Sequence, residues 1–262
     1  MIRKFFILFI IILTFTSCEE LILGPQPKFY EEEDVYPSLN VFGVLRPDNI
    51  YFQPLPSSFF LVSKIVPIMN DTVDVWYVPD ASIFVENADI TNETDTAGFF
   101  TNDTEYNENQ YLNTNWNPKA LNTYKIAIYK EGYDSVFAYA TVPVKPEIKN
   151  IVNTADQIIL TLNNDTSIYL YEIFIEDVLF KRKLPDISGN TEIIVKKYLP
   201  KFSITIIGYD KNMADYISTM NVFIKPNSFR EPFSTVVNGY GCIGALNIRN
   251  ISYFNNQIID HN

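Results

Sequence analysis

From residue 38 onward, apolar residues recur at every second position through run after run, a period that suits a half-buried β-strand. In residues 81–87, Ala81, Ile83 and Val85 share one parity while Ser82, Phe84 and Glu86 share the other. Residues 123–129 alternate likewise, with Tyr124, Ile126 and Ile128 on one side and Lys125 on the other. Residues 157–163 bring Ile158, Leu160 and Leu162 to one face. Further extended runs fall at 39–45, 58–65, 73–78, 135–142, 148–153, 167–176, 178–183, 192–197 and 203–209. Turn signals such as Arg46-Pro47-Asp48-Asn49 and Glu131-Gly132 separate them. Residues 210–220 break the rhythm: Met213, Tyr216, Ile217 and Met220 lie at helical spacing and predict one short helix near 211–220 with a core-facing stripe. Gly239, Gly241 and Gly244 predict a tight backbone course before a last strand at 245–253.

The expected fold is therefore all-β, with two β-sandwich, immunoglobulin-like domains and the one short helix. Pro143-Val144-Lys145-Pro146 marks the boundary, because paired prolines stiffen a linker and interrupt strand pairing. The first domain then covers residues 38–143 and the second 147–262, ordinary sizes for two domains.

Ahead of the strands, Arg3 and Lys4 precede an unbroken apolar run at 5–13, and Thr14 to Ser17 lead into Cys18. A membrane-spanning helix needs about 20 apolar residues, and this run is roughly half that. Its length and flanks fit a secretory signal peptide over residues 1–17. A cysteine directly after small residues resembles a lipobox, in which Cys18 takes a diacylglyceryl group and becomes the first residue after cleavage. Thr16 and Ser17 fit that pattern, and Phe15 stands where a small aliphatic residue is usual. An ordinary signal peptide with an incidental cysteine is the alternative. One acyl chain holds a protein only marginally, whereas the two or three of a lipoprotein hold it firmly. Residues 18–37 read as a flexible lipidated tether, broken by Gly24, Pro25 and Pro27 and carrying the acidic run Glu31-Glu32-Glu33-Asp34. Glu19 and Glu20 resemble the surface-export signal of some Gram-negative lipoproteins.

Charge and residue counts exclude several chemistries. A net charge of −11 argues against nucleic acid, whose phosphates need Lys and Arg, and against adsorption to an anionic membrane by charge. The single histidine, His261, sits next to the last residue, so Ser-His-Asp and Cys-His machinery lack a positioned base. Zinc sites of the Cys/His type are excluded by count, no phosphate-cradling glycine motif occurs, and no cofactor or metal is expected. With Cys18 acylated, Cys242 has no disulfide partner and reads as a small buried hydrophobe. Paired carboxylates at Glu172, Glu176 and Asp177 leave a glycosidase as a lesser alternative. The oxygen-rich stretches at 70–74, 102–104 and 163–166 read as polar turns rather than calcium loops. Asp71-Thr72-Val73, Asp95-Thr96-Ala97 and Asp134-Ser135-Val136 resemble the O-glycosylation signal of some Gram-negative envelopes, which makes Thr72, Thr96 and Ser135 candidate acceptors.

The motifs LNVFGVLRPD, VPDASIFVEN, GFFTND, NTYKIAIYKEGYDSVFAYATVPVKPEI, YDKNMADYISTM and EPFSTVVNGYGCIGA follow the lipobox in that order. Together they resemble the outer-membrane lipoproteins of domain-of-unknown-function family 4249, over nearly the whole chain after Cys18. Leu121-Asn122 stands where that family has Pro-Gly, and Gly239, Gly241 and Gly244 match its closing glycine-rich segment. The first domain separately resembles the carboxypeptidase-regulatory-like β-sandwich. The resemblance implies a non-catalytic lipoprotein held on the outer membrane, facing the cell exterior, and partnered with a TonB-dependent receptor barrel. Tyr106, Tyr111 and Trp116, within the polar run 103–118, are the candidate exposed contact surface, the alternative being a long hairpin whose aromatics pack inward. A fimbrial adhesin subunit assembled by strand addition is the structural alternative, although no clear basic cleavage site precedes residues 38–45.

Overall fold

The computed structural model describes residues 38–47, 58–64, 77–88, 99–102, 110–113, 116–197, 201–220, 234–254 and 257–261. Within them the chain is all-β and sandwich-like, with one short helix. The first strands are β1 (Leu39–Leu45), β2 (Phe59–Lys64), β3 (Ser82–Asn87), β4 (Phe99–Asn102), β5 (Gln110–Leu112), β6 (Thr123–Tyr129) and β7 (Val136–Thr141). There follow β8 (Glu147–Asn153), β9 (Gln157–Asn163), β10 (Leu170–Ile175), β11 (Val178–Lys183), β12 (Asn190–Lys196) and β13 (Lys201–Tyr209). Then come helix α1 (Lys211–Met220), β14 (Val236–Val237), β15 (Tyr240–Phe254) and β16 (Gln257–His261). Strands β4, β5 and β14 are too short to show an alternation in the sequence. Of the run expected at 73–78 only Tyr77 and Val78 are described, and Tyr77 makes an isolated bridge to Ser63.

One hydrogen-bonded path runs β11-β10-β13-β15-β1-β2-β5-β4-β3-β6-β7-β14, with β16 on β15, while β12-β9-β8 form a separate three-stranded sheet. The pairings are antiparallel except β1 with β15, which run parallel from Asn40 opposite Tyr240 to Leu45 opposite Ala245. Strand β15 serves three hydrophobic clusters. Ile243 and Ala245 join Leu39, Val41, Phe60, Ile83 and Ile126 in the first. Farther along the same side, Ile251 and Tyr253 join Leu160, Ile173, Val195 and Ile206 in the second. On the opposite side Cys242, Leu246 and Ile248 meet Val44, Phe59 and Ile207 under the helix residues Met213, Ala214 and Ile217. Met213 and Ile217 of the expected stripe are thus core, with the partly buried Tyr216 packed against them.

The boundary expected at 143–146 falls where the first cluster gives way to the second. There the buried Asn247 Nδ2 donates to Pro143 O at 3.0 Å, and Arg249 Nη1 donates to Pro146 O at 3.2 Å. The segments on either side do not form independent sheets, because Val236 and β15, both from beyond the linker, complete the first cluster. The glycine-rich stretch is also not a loop before a strand: β15 begins at Tyr240, five residues ahead of the expected 245. The parallel partner explains the glycine. Gly241 has φ +107°, and a Cβ there would sit 2.0 Å from Val41 O. Gly241→Ala is therefore expected to cost about 2–4 kcal/mol of stability or to prevent folding, read by chemical denaturation or by loss of soluble chain. An unchanged unfolding midpoint would contradict the tight β1–β15 seam.

Candidate functional site

Cys18, Thr72, Thr96 and Tyr106 lie outside the described residues. Tyr111 and Trp116 do not form an exposed contact surface; they follow the alternative in which the aromatics pack inward. Tyr111 lies on β5, between β2 and β4, opposite the core residue Phe60, and only 1 % of its surface is exposed. Trp116 packs edge-on to Phe100 and Tyr124, at ring-centroid distances of 5.8 Å and 5.3 Å. Tyr111 belongs to the first core, because a central strand turns alternate side chains inward whatever the polarity of the surrounding sequence, and the partly buried Trp116, beyond the end of β5, packs against that core.

Tyr111 nonetheless shapes a surface feature. Its hydroxyl donates to Val78 O and accepts from Ala81 N at 2.8 Å, clasping the two ends of the turn that carries Pro79 and Asp80. Burial raises the Tyr111 hydroxyl pKa, so it stays a neutral donor and acceptor. Asp80 reaches a polar cleft of about 450 Å³ lined also by Ser82, Tyr129, Lys130, Glu131 and Ser135. Lys130 Nζ donates to Asp80 Oδ2 at 2.6 Å, and this hydrogen bond holds the carboxyl pKa below its ordinary value. Ser135 stands half-exposed on the cleft wall, and its carbonyl accepts from Asn238 Nδ2 at 3.3 Å.

The cleft opens at one end of an aromatic sheet face. Registration puts Phe84, Ala127, Phe137 and Val237 in one row across β3, β6, β7 and β14. The next row is Glu86, Lys125 and Tyr139, and Tyr129 stands opposite Ser82 at the cleft. Tyr129 is 47 % exposed and Tyr139 55 %. The Tyr129 and Phe137 rings meet edge-to-face at 6.2 Å. Lys125 pairs with Glu86 at 2.9 Å, a hydrogen-bonded contact that raises the lysine pKa. The same strands turn Ile83, Val85, Ile126, Ile128, Val136 and Ala138 into the first core. The sequence put Phe84 opposite Ile83 and Lys125 opposite Ile126 but did not reveal the platform, because neighbouring strands and their register are not written in any one strand.

The carboxylates weighed for glycoside chemistry do not converge. Glu172 is 5 % exposed and fully engaged, accepting from Arg182 Nε at 2.5 Å and from the Tyr209 hydroxyl at 2.7 Å. Burial, then the Glu172 charge, pushes the Tyr209 pKa well up. Glu176 and Asp177 form the exposed β10–β11 turn at φ 48° and 63°, where Glu176 accepts from Ser203 N. Among the described residues no three His, Cys, Asp or Glu side chains gather closely enough to hold a metal ion. Cys242 is a buried free thiol whose pKa burial pushes to about 12. No helix among the described residues is long and apolar enough to cross a membrane. No family model and no curated protein matches the chain.

Among the described residues Asp210 is the other buried acid. It caps α1, its Oδ1 accepting from Met213 N at 2.9 Å, and burial pushes its pKa up to about 7. A carboxyl raised in the folded state from the ordinary 3.8 contributes stability that is present at low pH and lost as pH rises toward 7. Asp210→Asn keeps the cap without the charge. Its stability relative to the wild type is expected to grow between pH 4 and pH 7 and then level off, in denaturant titrations across that range; a pH-independent difference would contradict the shift. Tyr111→Phe strips the partners from Val78 O and Ala81 N and is expected to cost about 1–3 kcal/mol in the same assay.

Proposed function

We propose that this chain is a non-catalytic, lipid-anchored outer-membrane protein that faces the cell exterior and captures a ligand alongside a TonB-dependent receptor barrel. The observation that carries this reading is the outward aromatic face beside an open polar cleft, on a sheet whose reverse side is packed as core. Large exposed aromatics clustered on one face lose favourable burial unless a ligand covers them, and clustered apolar surface is a common mark of recognition sites. The resemblance to the outer-membrane lipoprotein family and the run from Arg3 to Cys18 supply the location and the anchor. Acylation at Cys18 would fix the protein to the membrane, and residues 19–37 would let the sheets reach a neighbouring receptor.

Labelled palmitate is expected to enter the wild-type chain and not Cys18→Ala, which should leave the membrane fraction. Affinity purification of the native chain from detergent-extracted outer membranes should bring down a β-barrel receptor. Recovery with Cys18 acylated and no barrel partner would overturn the receptor partnership, and an unacylated Cys18 would overturn the anchor.

A further inference from the structure

We propose that the cleft beside Tyr129 and the aromatic face continuing to Tyr139 form a binding site for a neutral saccharide. The proposal rests on reading this face as the ligand-capture surface and names the class of ligand it takes. Three features of the site limit that class.

The first is the apolar element. Tyr129, Phe137, Tyr139 and the half-buried Phe84 sit on adjacent strands of one pleated surface, so a ligand meets rings held in place by a packed sheet. A ligand that covers them must itself offer an apolar face, as the C–H side of a pyranose does. The second is the polar element. Asp80 supplies acceptors, Lys130 supplies donors, and Ser82 and Ser135 supply hydroxyls, all around the recess that Tyr129 borders. The Lys130–Asp80 pair, 2.6 Å apart, sets a donor and an acceptor side by side, an arrangement that matches two neighbouring hydroxyls of a sugar ring. A wholly apolar ligand or peptide segment would desolvate these groups without pairing them. The third is charge. Asp80 and Glu131 offset Lys130 on the cleft wall and Lys64 near Asp80, so the cleft carries no local excess of positive charge, and in a chain of net charge −11 this disfavours phosphate, sulfate and uronic-acid ligands. A nucleotide offers a flat face but brings the phosphates this surface repels. A volume of about 450 Å³ falls within the roughly 300–1,000 Å³ of small-molecule sites, and the open end lets a longer glycan continue across the aromatic rows.

Tyr111 acts as a positioning residue for the site. It touches no ligand, yet its hydroxyl holds both ends of the turn that presents Asp80.

The test uses the full chain extracted in a detergent without a sugar headgroup. The probes are neutral xylo-, cello-, malto- and manno-oligosaccharides, with inorganic phosphate, a nucleoside triphosphate and polygalacturonate as anionic comparisons, measured by calorimetry and on a broad glycan array. At least one neutral oligosaccharide is expected to bind, and the anions are not. Tyr129→Ala and Asp80→Asn should each weaken binding at least tenfold with an unchanged circular dichroism spectrum. Tyr129→Phe should retain most of the affinity, and Tyr169→Ala, an exposed tyrosine outside this face, should change nothing. Tyr111→Phe should weaken saccharide binding severalfold, and binding should recover in part where multivalent display on the array offsets a loosened Asp80 turn. Failure of every neutral saccharide to bind, preferential binding of an anion, or full binding by folded Tyr129→Ala would overturn the proposal. Receptor recovery with the wild-type chain is scored separately, so loss of the saccharide assignment leaves that result to stand or fall by itself.

Discussion

The parallel seam between β1 and β15 holds this fold together. Parallel neighbours cannot be joined by a tight turn, and here the connection between them is nearly the whole described chain. Closing so long a loop costs entropy that local contacts do not return, so the seam must be well made once it forms. Three clusters draw on β15, which gives the seam much more to stabilise than its own hydrogen bonds. Gly241 admits the Val41 carbonyl, and Gly244 leaves room for Asp210 and the first turn of α1. At Gly241 backbone comes too close to backbone for a side chain, and at Gly244 the neighbour that fills the space is the Asp210 carboxylate.

The same sheet separates core from surface by parity. Inward residues of β3, β6 and β7 fill the first core, and their outward neighbours form the aromatic rows. Substitution on one side can therefore alter what the surface meets while leaving the core intact, since adjacent strand residues point apart. Tyr111 couples the two sides: its ring is core, and its hydroxyl fixes the turn that delivers Asp80 to the cleft. A loosened core at β5 would reach the cleft through that contact.

The buried charges belong to the architecture. Glu172 ties β10 to Arg182 on β11 and to Tyr209 on β13, so one carboxylate spans three strands. Removing it would leave the buried Tyr209 hydroxyl without its acceptor, a larger cost than the ion pair is worth by itself. Arg249 and Asn247 do comparable work for the linker, accepting no burial without a partner: each donates to a carbonyl of the 143–146 segment.

Local pattern, read residue by residue, determined the all-β class and the bounds of β1, β6, β9 and β11, and helical spacing gave the helix whose Met213 and Ile217 face the core, because each of these depends on neighbours a few residues away. It also put Phe84 on the face opposite Ile83 and Lys125 on the face opposite Ile126. It left Tyr111 and Trp116 open between an exposed contact surface and inward packing, since a polar stretch can still deliver an aromatic to a core built from distant strands. Which strands lie side by side, why Gly241 must be glycine, and how Tyr129, Phe137 and Tyr139 come to share a face were decided only by the tertiary structure. Those facts rest on pairings such as Asn40 with Tyr240 and Phe84 with Ala127, and no local pattern encodes a partner so far along the chain.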